Sequence, residues 1–185
     1  MSTVTDPADA LSTLSRLVRE IEDHVAQDGW DQGARLFALV PTGELLAREP
    51  GLAAVLDLPA GGSADRGPGP LTPVEQEELP DHATLEELLG GLAWPVEVAG
   101  AALVVERVVL PPEAEAELPV DEGEALAVLE GHPLRQDVRL AVATMRDGTR
   151  SAAMRFRGHD DPAAVLLGPD LVPGLADALA ATLED

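Results

Sequence analysis

The side chains best suited to chemistry lie together near the end of the chain, in the run His159-Asp160-Asp161. A histidine beside two carboxylates can hold a divalent metal ion, or can act as a base that a carboxylate orients. The run therefore indicates a hydrolase or a metal-dependent enzyme as one candidate function. Adjacent loop residues rarely point in the same direction, however, and Asp160-Asp161-Pro162 is also typical of a plain turn. We assign no catalytic or metal-ligating residue from the sequence and keep the enzyme as the alternative.

Other catalytic motifs are absent from the sequence. The chain has no cysteine, which excludes thiolate nucleophiles, disulfides and cysteine-ligated metals. It has no lysine either, so the phosphate-binding loop of nucleotide hydrolases cannot occur, and the glycine motifs of dinucleotide-binding proteins and α/β-hydrolases are missing. The histidines at 24, 82, 132 and 159 do not have the spacing of a helical zinc pair. We predict no cofactor and a non-enzymatic protein of the binding, adaptor or chaperone-like class.

Arginines are concentrated in residues 135–157, which contain six of them and two aspartates, although the whole chain has a formal net charge of −22. They could neutralise acidic helices packed nearby, such as residues 113–130, or they could bind an anion or the carboxylates of a partner. We expect most of them to be paired within the molecule. The candidate binding residues under the second interpretation are Arg139, Arg150 and Arg155.

Trp30 and Trp94 are the remaining candidate binding residues, because each lies at a junction between elements. A tryptophan in such a place either anchors the core or contacts a partner. The acidic remainder of the chain repels nucleic acid and anionic lipid. The predicted partner is therefore a protein, and whether the chain is a monomer or a dimer is left open.

The predicted location is the cytoplasm. No stretch approaches the roughly 20 consecutive apolar residues that cross a bilayer. The first ten residues have neither the basic nor the apolar region of a signal peptide. We expect no membrane insertion.

A β-hairpin over residues 137–157 is the element around which the chain is expected to be organised. Asp147-Gly148 lies between two half-apolar segments, and this pair is typical of a two-residue type I′ turn. The turn predicts that Val142 lies opposite Ala153. The apolar run 101–110 is its expected neighbour in the sheet.

This register also predicts the faces of the hairpin. Arg139 and Arg150 would share one face, and Arg146 and Arg155 the other. Both faces mix apolar and polar residues, so the pattern alone does not indicate which face is buried.

Helices and one more strand complete the predicted α+β fold, a single two-layer domain over 1–185 with a three- to four-stranded, mainly antiparallel sheet and the terminal helices packed on it. The first helix begins after Asp6, a favourable N-cap, and capping boxes predict helices after Thr72 and Thr84. Residues 1–6 are expected to be disordered, and the Gly/Pro-rich residues 59–70 to form a flexible loop. The remaining predicted elements are a strand at 35–40 and helices at 43–48, 51–57, 121–130 and 171–183, and the apolar stripe of the first helix is Leu11, Leu14, Val18, Ile21 and Val25.

Several segments together resemble an uncharacterised family of small acidic cytoplasmic proteins from actinobacteria. They are GWDQGARLFALVPTGELLAREP, LTPVEQEELP, GLAWPVEVAGAALVVERVVLPPEAEAELP, HPLRQDVRLAVATMRDGTRSAAMRFRGHDD and GPDLVPGLADAL. The resemblance covers roughly residues 15–183. It implies no activity, ligand or catalytic residue for this chain.

Overall fold

The computed structural model describes residues 7–51, 70–79, 84–159 and 161–184. The predicted N-terminal segment 1–6, the helix at 51–57 beyond its first residue and the loop at 59–70 before its last residue lie outside the described residues. The helices are α1 (Pro7–Ala26), α2 (Thr42–Arg48), α3 (Leu85–Gly90), α4 (Pro112–Glu115), α5 (Glu122–Gly131) and α6 (Pro173–Ala181), with a 3₁₀ turn at Pro162–Ala164. The strands are β1 (Arg35–Pro41), β2 (Leu71–Glu75), β3 (Gly100–Val109), β4 (Gln136–Met145), β5 (Arg150–Phe156) and β6 (Leu166–Gly168).

One antiparallel sheet contains all six of these strands, in the order β2-β1-β3-β4-β5-β6. The α+β class is confirmed, but the predicted three to four strands are too few. The helix predicted after Thr72 is wrong, because the hydroxyl of Thr72 lies 2.8 Å from that of Thr42 and its segment pairs with β1 as strand β2. Pro73 is tolerated there because β2 is an edge strand.

Helices pack on both faces of the sheet, so the domain has three layers rather than the predicted two. On one face, α1 buries Leu14, Val18, Ile21 and Val25 against the sheet; the side chain of Leu11 lies outside the described part. On the other face, α6 buries Leu179 among the side chains of β3 and β4. The stripe of α1 follows the predicted helical spacing. Helix α6 is shorter than the predicted 171–183 and buries Ala176 and Leu179.

On β3 and β4, the side chains of the two buried faces differ in size. The face under α1 contains four alanines, at positions 102, 141, 143 and 153. The face under α6 contains larger residues of β3 and β4, among them Leu103, Val105, Leu140 and Val142. Small side chains let α1 approach the sheet closely, but they interlock less with the side chains of the helix and so do less to fix its position along the sheet.

The hairpin has a different register from the predicted one. Val142 lies opposite Ala152, not Ala153, and the loop has three residues, with a bond from Met145 N–H to Thr149 O at 2.8 Å. Gly148 has φ +88°, which is typical of a type I turn followed by a glycine bulge. Asp147 keeps a negative φ, so the predicted type I′ turn is wrong.

The one-residue shift exchanges the faces of β5 side chains, as any such slip does. Arg139 and Arg155 are now directly opposite each other on the α1 face. Arg150, opposite Thr144, lies on the α6 face. The predicted pairings, Arg139 with Arg150 and Arg146 with Arg155, are therefore wrong, and both faces of the hairpin are buried.

Candidate functional site

The two arginines on the α1 face meet a carboxylate from the helix above them. Glu22 is 0 % exposed, Arg139 1 % and Arg155 3 %. Arg155 donates from Nε and Nη2 to the two carboxylate oxygens of Glu22, at 2.7 and 2.6 Å, and Arg139 Nη1 lies 3.5 Å from Oε1. Asp23 accepts a further bond from Arg155 at 2.9 Å. Two candidate binding arginines are thus enclosed in the fold.

The sequence analysis did not identify Glu22, although a signal was present. Glu22 follows Val18 by four residues and precedes Val25 by three, so it interrupts the apolar stripe of α1. A charged residue in that position must find an opposite charge when the stripe is buried. The two arginines at facing positions of the hairpin provide that charge.

Trp30 lies beside the same cluster. The guanidinium of Arg139 is 4.3 Å from the centre of the indole ring, and that of Arg157 is 5.6 Å from it. Arg139 also donates to the carbonyl of Gly29 and lies 3.3 Å from Glu106 Oε1. Trp30, which follows α1, therefore lies against two arginines of the hairpin, Arg139 of β4 and Arg157 after β5.

Hydrogen bonds to charged side chains stabilise the turn after Trp30. Asp31 has φ +66°, and its N–H donates to Glu106 Oε2 at 2.8 Å. Arg157 donates to both of its carboxylate oxygens at 2.8 Å, and these bonds lower the pKa of Asp31 and raise the pKa of Arg157. The resulting network joins α1, β3, β4 and β5.

Arg150 and Trp94 lie on the opposite face. Arg150 donates to Asp177 and Asp170, each at 2.8 Å, and Trp94 Nε1 donates to Thr182 Oγ1 at 2.9 Å. The carboxylates that hold Arg139, Arg150 and Arg155 come from α1, β3 and the region of α6, rather than from residues 113–130 as predicted. That the candidate binding residues contact a partner stays a prediction; they are Arg139, Arg150, Arg155, Trp30 and Trp94.

His159 and Asp161, the two described residues of the run His159-Asp160-Asp161, make local hydrogen bonds along the chain. His159 is exposed, and its backbone N–H donates to the carbonyl of Phe156 at 3.0 Å. Asp161 caps the 3₁₀ turn by accepting from Ala163 N–H at 2.8 Å, and Asp160 lies outside the described residues.

No group of three or more potential metal ligands occurs within the part of the chain that the structure describes. His24 is exposed near the end of α1, and His132 Nδ1 accepts from Leu134 N–H at 3.1 Å. His82 lies outside the described ranges. The enzyme alternative therefore stays a prediction.

Four of the exposed large apolar side chains lie on or beside α5, on what we call the acidic–apolar surface. None of the α5 residues is buried. Leu126 is 56 % exposed and Val128 42 %, and Val120 and Leu134 beside the helix are exposed too. Four carboxylates complete the surface: Asp121, which caps the helix by accepting from Glu124 N–H at 3.0 Å, together with Glu122, Glu124 and Glu130.

A cleft of about 600 Å³ lies between α3 and α6, above β3 and β4. Its walls are mainly apolar, and its charged residues are Glu86 and Arg107. The apolar lining includes Leu85, Leu89, Leu92, Leu140, Leu175, Ala178 and Ala181. Its volume lies within the range of small-molecule sites.

These features define a three-layer α+β protein with an enclosed ion-pair cluster and two accessible surfaces. The family model described as PPA1309-like protein matches residues 14–184, and the chain belongs to this family. The match agrees with the resemblance to an uncharacterised family. No curated protein and no solved structure matches. In the described part of the chain, no helix is long and apolar enough to cross a membrane.

Proposed function

We propose that the protein is a non-enzymatic adaptor that holds a basic, amphipathic segment of a partner protein on the acidic–apolar surface. The observation that carries this proposal is the apolar run of α5, residues 125–129, on a helix with no buried residue. The proposal rests on three properties of that surface: its apolar run, its carboxylates and the absence of arginine and lysine from residues 111–131.

The apolar run of α5 surrounds its helix. Five consecutive residues at 3.6 residues per turn extend around more than a full turn. The rest of the domain covers only one side of this helix, which contacts β3, and the half-buried residues Ala125 and Leu129 lie on that side. Leu126 and Val128 remain exposed on either flank. Covering them would gain roughly 25 cal/mol for each Å² of apolar surface removed from water.

The carboxylates define the chemistry of the partner. Residues 111–131 contain seven acidic residues and no arginine. A second copy of the chain would bring a further net charge of −22 to this surface, and nucleic acid or anionic lipid would also be repelled. A segment with leucines on one side and arginines or lysines at its flanks complements both features.

A peptide titration tests the proposal. A labelled helical peptide with leucines at i, i+3, i+4 and i+7 and arginines on its flanks is titrated with the full chain and followed by fluorescence anisotropy. The matched peptide carries glutamate in place of every arginine. We expect saturable binding of the basic peptide alone, weakening as salt is raised because the exposed charges are screened.

Two variants locate the binding. Leu126→Asp should abolish binding of the basic peptide, whereas Val96→Asp, at a position 77 % exposed outside this surface, should leave it unchanged. Equal binding of both peptides, or unchanged binding by Leu126→Asp, would overturn the proposal. Sedimentation of the wild type and Leu126→Asp distinguishes a second copy as the occupant: a dimer that the variant dissociates would contradict a basic partner.

A further inference from the structure

We infer that the cleft between α3 and α6 is a second binding site, independent of the acidic–apolar surface, and that it takes an amphiphilic monocarboxylate. Arg107 contacts the carboxylate, and the leucine walls hold the apolar body of the ligand. The inference rests on three observations: Arg107 has no ion pair within the described part of the chain, the walls of the cleft are mainly apolar, and Glu86 lines the same cleft.

Arg107 is unusual among the arginines of this chain. The sequence has 34 acidic residues and 12 arginines, so arginines readily find internal carboxylates. Within the described ranges, Arg16 and Arg107 alone have neither a hydrogen bond nor an ion pair, whereas the other described arginines are held by carboxylates or backbone carbonyls. Arg107 is exposed and lines the cleft. Its guanidinium fork is therefore available to a carboxylate.

The sheet places Arg107 at the boundary between apolar and open surface. Along β3, Leu103 and Val105 belong to the core on the α6 face, and Arg107 continues the same face because strand side chains alternate. On β4, Leu140 lines the same cleft. A ligand with its head on Arg107 thus has its apolar body directed over buried leucines.

Glu86 restricts the charge of the ligand. It is exposed on α3 and lines the same cleft, and no ion pair joins it to Arg107. A phosphate carries nearly two charges, so it would be attracted more strongly by Arg107 but also repelled more strongly by Glu86 than a carboxylate. A head group with one negative charge therefore suits a cleft that contains both Arg107 and Glu86 better than a phosphate does. An uncharged amphiphile would leave Arg107 without a partner.

Isothermal titration calorimetry of the full chain with sodium decanoate tests the inference. We expect saturable binding of one decanoate. Arg107→Gln should weaken it roughly tenfold or more, because charge-assisted hydrogen bonds are lost. Glu86→Gln should strengthen it, because a like charge is removed. Arg16→Gln, which removes the other unpaired arginine, is the matched control and should leave the affinity unchanged.

Two further measurements separate the cleft from adventitious binding. Ala178→Phe, an exposed position that lines the cleft, should block decanoate while its melting temperature stays near that of the wild type. Decanamide, the uncharged analogue, should bind more weakly than decanoate and should not respond to Arg107→Gln. The inference is overturned if decanoate does not saturate, if Arg107→Gln keeps the wild-type affinity, or if decanamide binds as tightly as decanoate. A basic peptide bound at α5 should leave decanoate affinity unaltered.

Discussion

Arg155 and Glu22 form a two-point ion pair, with N–O distances of 2.7 and 2.6 Å, across 133 residues of chain. The pair lies on the face of the sheet where four alanines lie beside larger residues such as Phe37 and Leu39. We expect the ion pair to help fix the position of α1 along the sheet, because the carboxylate of Glu22 must lie beside both arginines. A buried ion pair of this kind can select one packing arrangement of helix and sheet, and this role is distinct from any net contribution to the free energy of unfolding.

Replacement of Glu22 should strongly destabilise the fold. Glu22→Ala leaves Arg139 and Arg155 buried without their shared carboxylate, and removal of one partner of a buried ion pair costs about 3–5 kcal/mol. Urea unfolding measures the change. Glu20→Ala, an exposed position on the same helix, is the control and should change the free energy of unfolding by less than about 0.5 kcal/mol. A loss below about 1 kcal/mol for Glu22→Ala would show that the pair is dispensable.

Substitution of Arg150 and of Arg155 by alanine should lower the melting temperature by different amounts, although both arginines form ion pairs. Arg155→Ala removes a buried cation and should lower the melting temperature by roughly 6–20 °C, from about 3–5 kcal/mol at about 2–4 °C for each kcal/mol. Arg150→Ala removes bonds to the exposed carboxylates of Asp170 and Asp177, a loss of about 0–1 kcal/mol. Scanning calorimetry of the two single variants gives the comparison. Equal shifts would contradict the burial difference.

The edge pair β1–β2 should lose stability in acid. Hydrogen bonds from Arg35 to Glu75, at 2.6 and 2.8 Å, lower the pKa of Glu75, and burial opposes them only in part. The contribution of the Arg35–Glu75 pair to the free energy of unfolding is complete above about pH 4.3, the ordinary pKa of glutamate. It is lost as the pH falls through the lower pKa of the folded state.

Urea midpoints at pH 6 and pH 3 test this pH dependence. The urea midpoint of the wild type should exceed that of Glu75→Gln at pH 6. The difference should shrink at pH 3, because the unfolded-state carboxylate is then protonated and the ionised pair no longer favours the folded state to the full extent. Arg35→Gln should remove the same pH-dependent part, since the donor is then missing. A difference that stays constant between the two pH values would show that this pair does not titrate as described.

The hairpin loop should require glycine at position 148. Gly148 has φ +88°, a conformation that costs an L-residue about 1–2 kcal/mol. Gly148→Ala should lower the free energy of unfolding by that amount. Gly158→Ala is the control, because Gly158 has no positive φ and no atom within 4 Å of an added Cβ. Comparable effects of the two substitutions would rule out the bulged loop.

Local sequence patterns predicted the elements that are set by local chemistry. The stripe Leu14, Val18, Ile21 and Val25 predicted α1, and the capping box at Thr84 predicted α3, where both of its bonds are present. The same box at Thr72 failed, because pairing with β1 outweighed a helix start. Strand β6 has three residues, too few to show a period.

The site depended on the register of the hairpin, which the sequence left uncertain by one residue. Asp147-Gly148 fits a two-residue and a three-residue loop, and only the second places Arg139 opposite Arg155. Glu22 could have indicated this pairing from its place in the stripe. The cleft at Arg107 could not be predicted, because it depends on how α3 and α6 pack across the sheet.

The ion pair of Glu22 also has a consequence for synthesis of the chain. Helix α1 leaves the ribosome early, whereas Arg155 is added 133 residues later. At about 5–20 residues per second, roughly 7–27 s pass between the two events. During that time β1 and β3 are made, but α1 lacks β4 and β5, the strands with which it makes most of its contacts. The ion pair that joins α1 to the hairpin can therefore form only after all the strands from β1 to β4 have been synthesised.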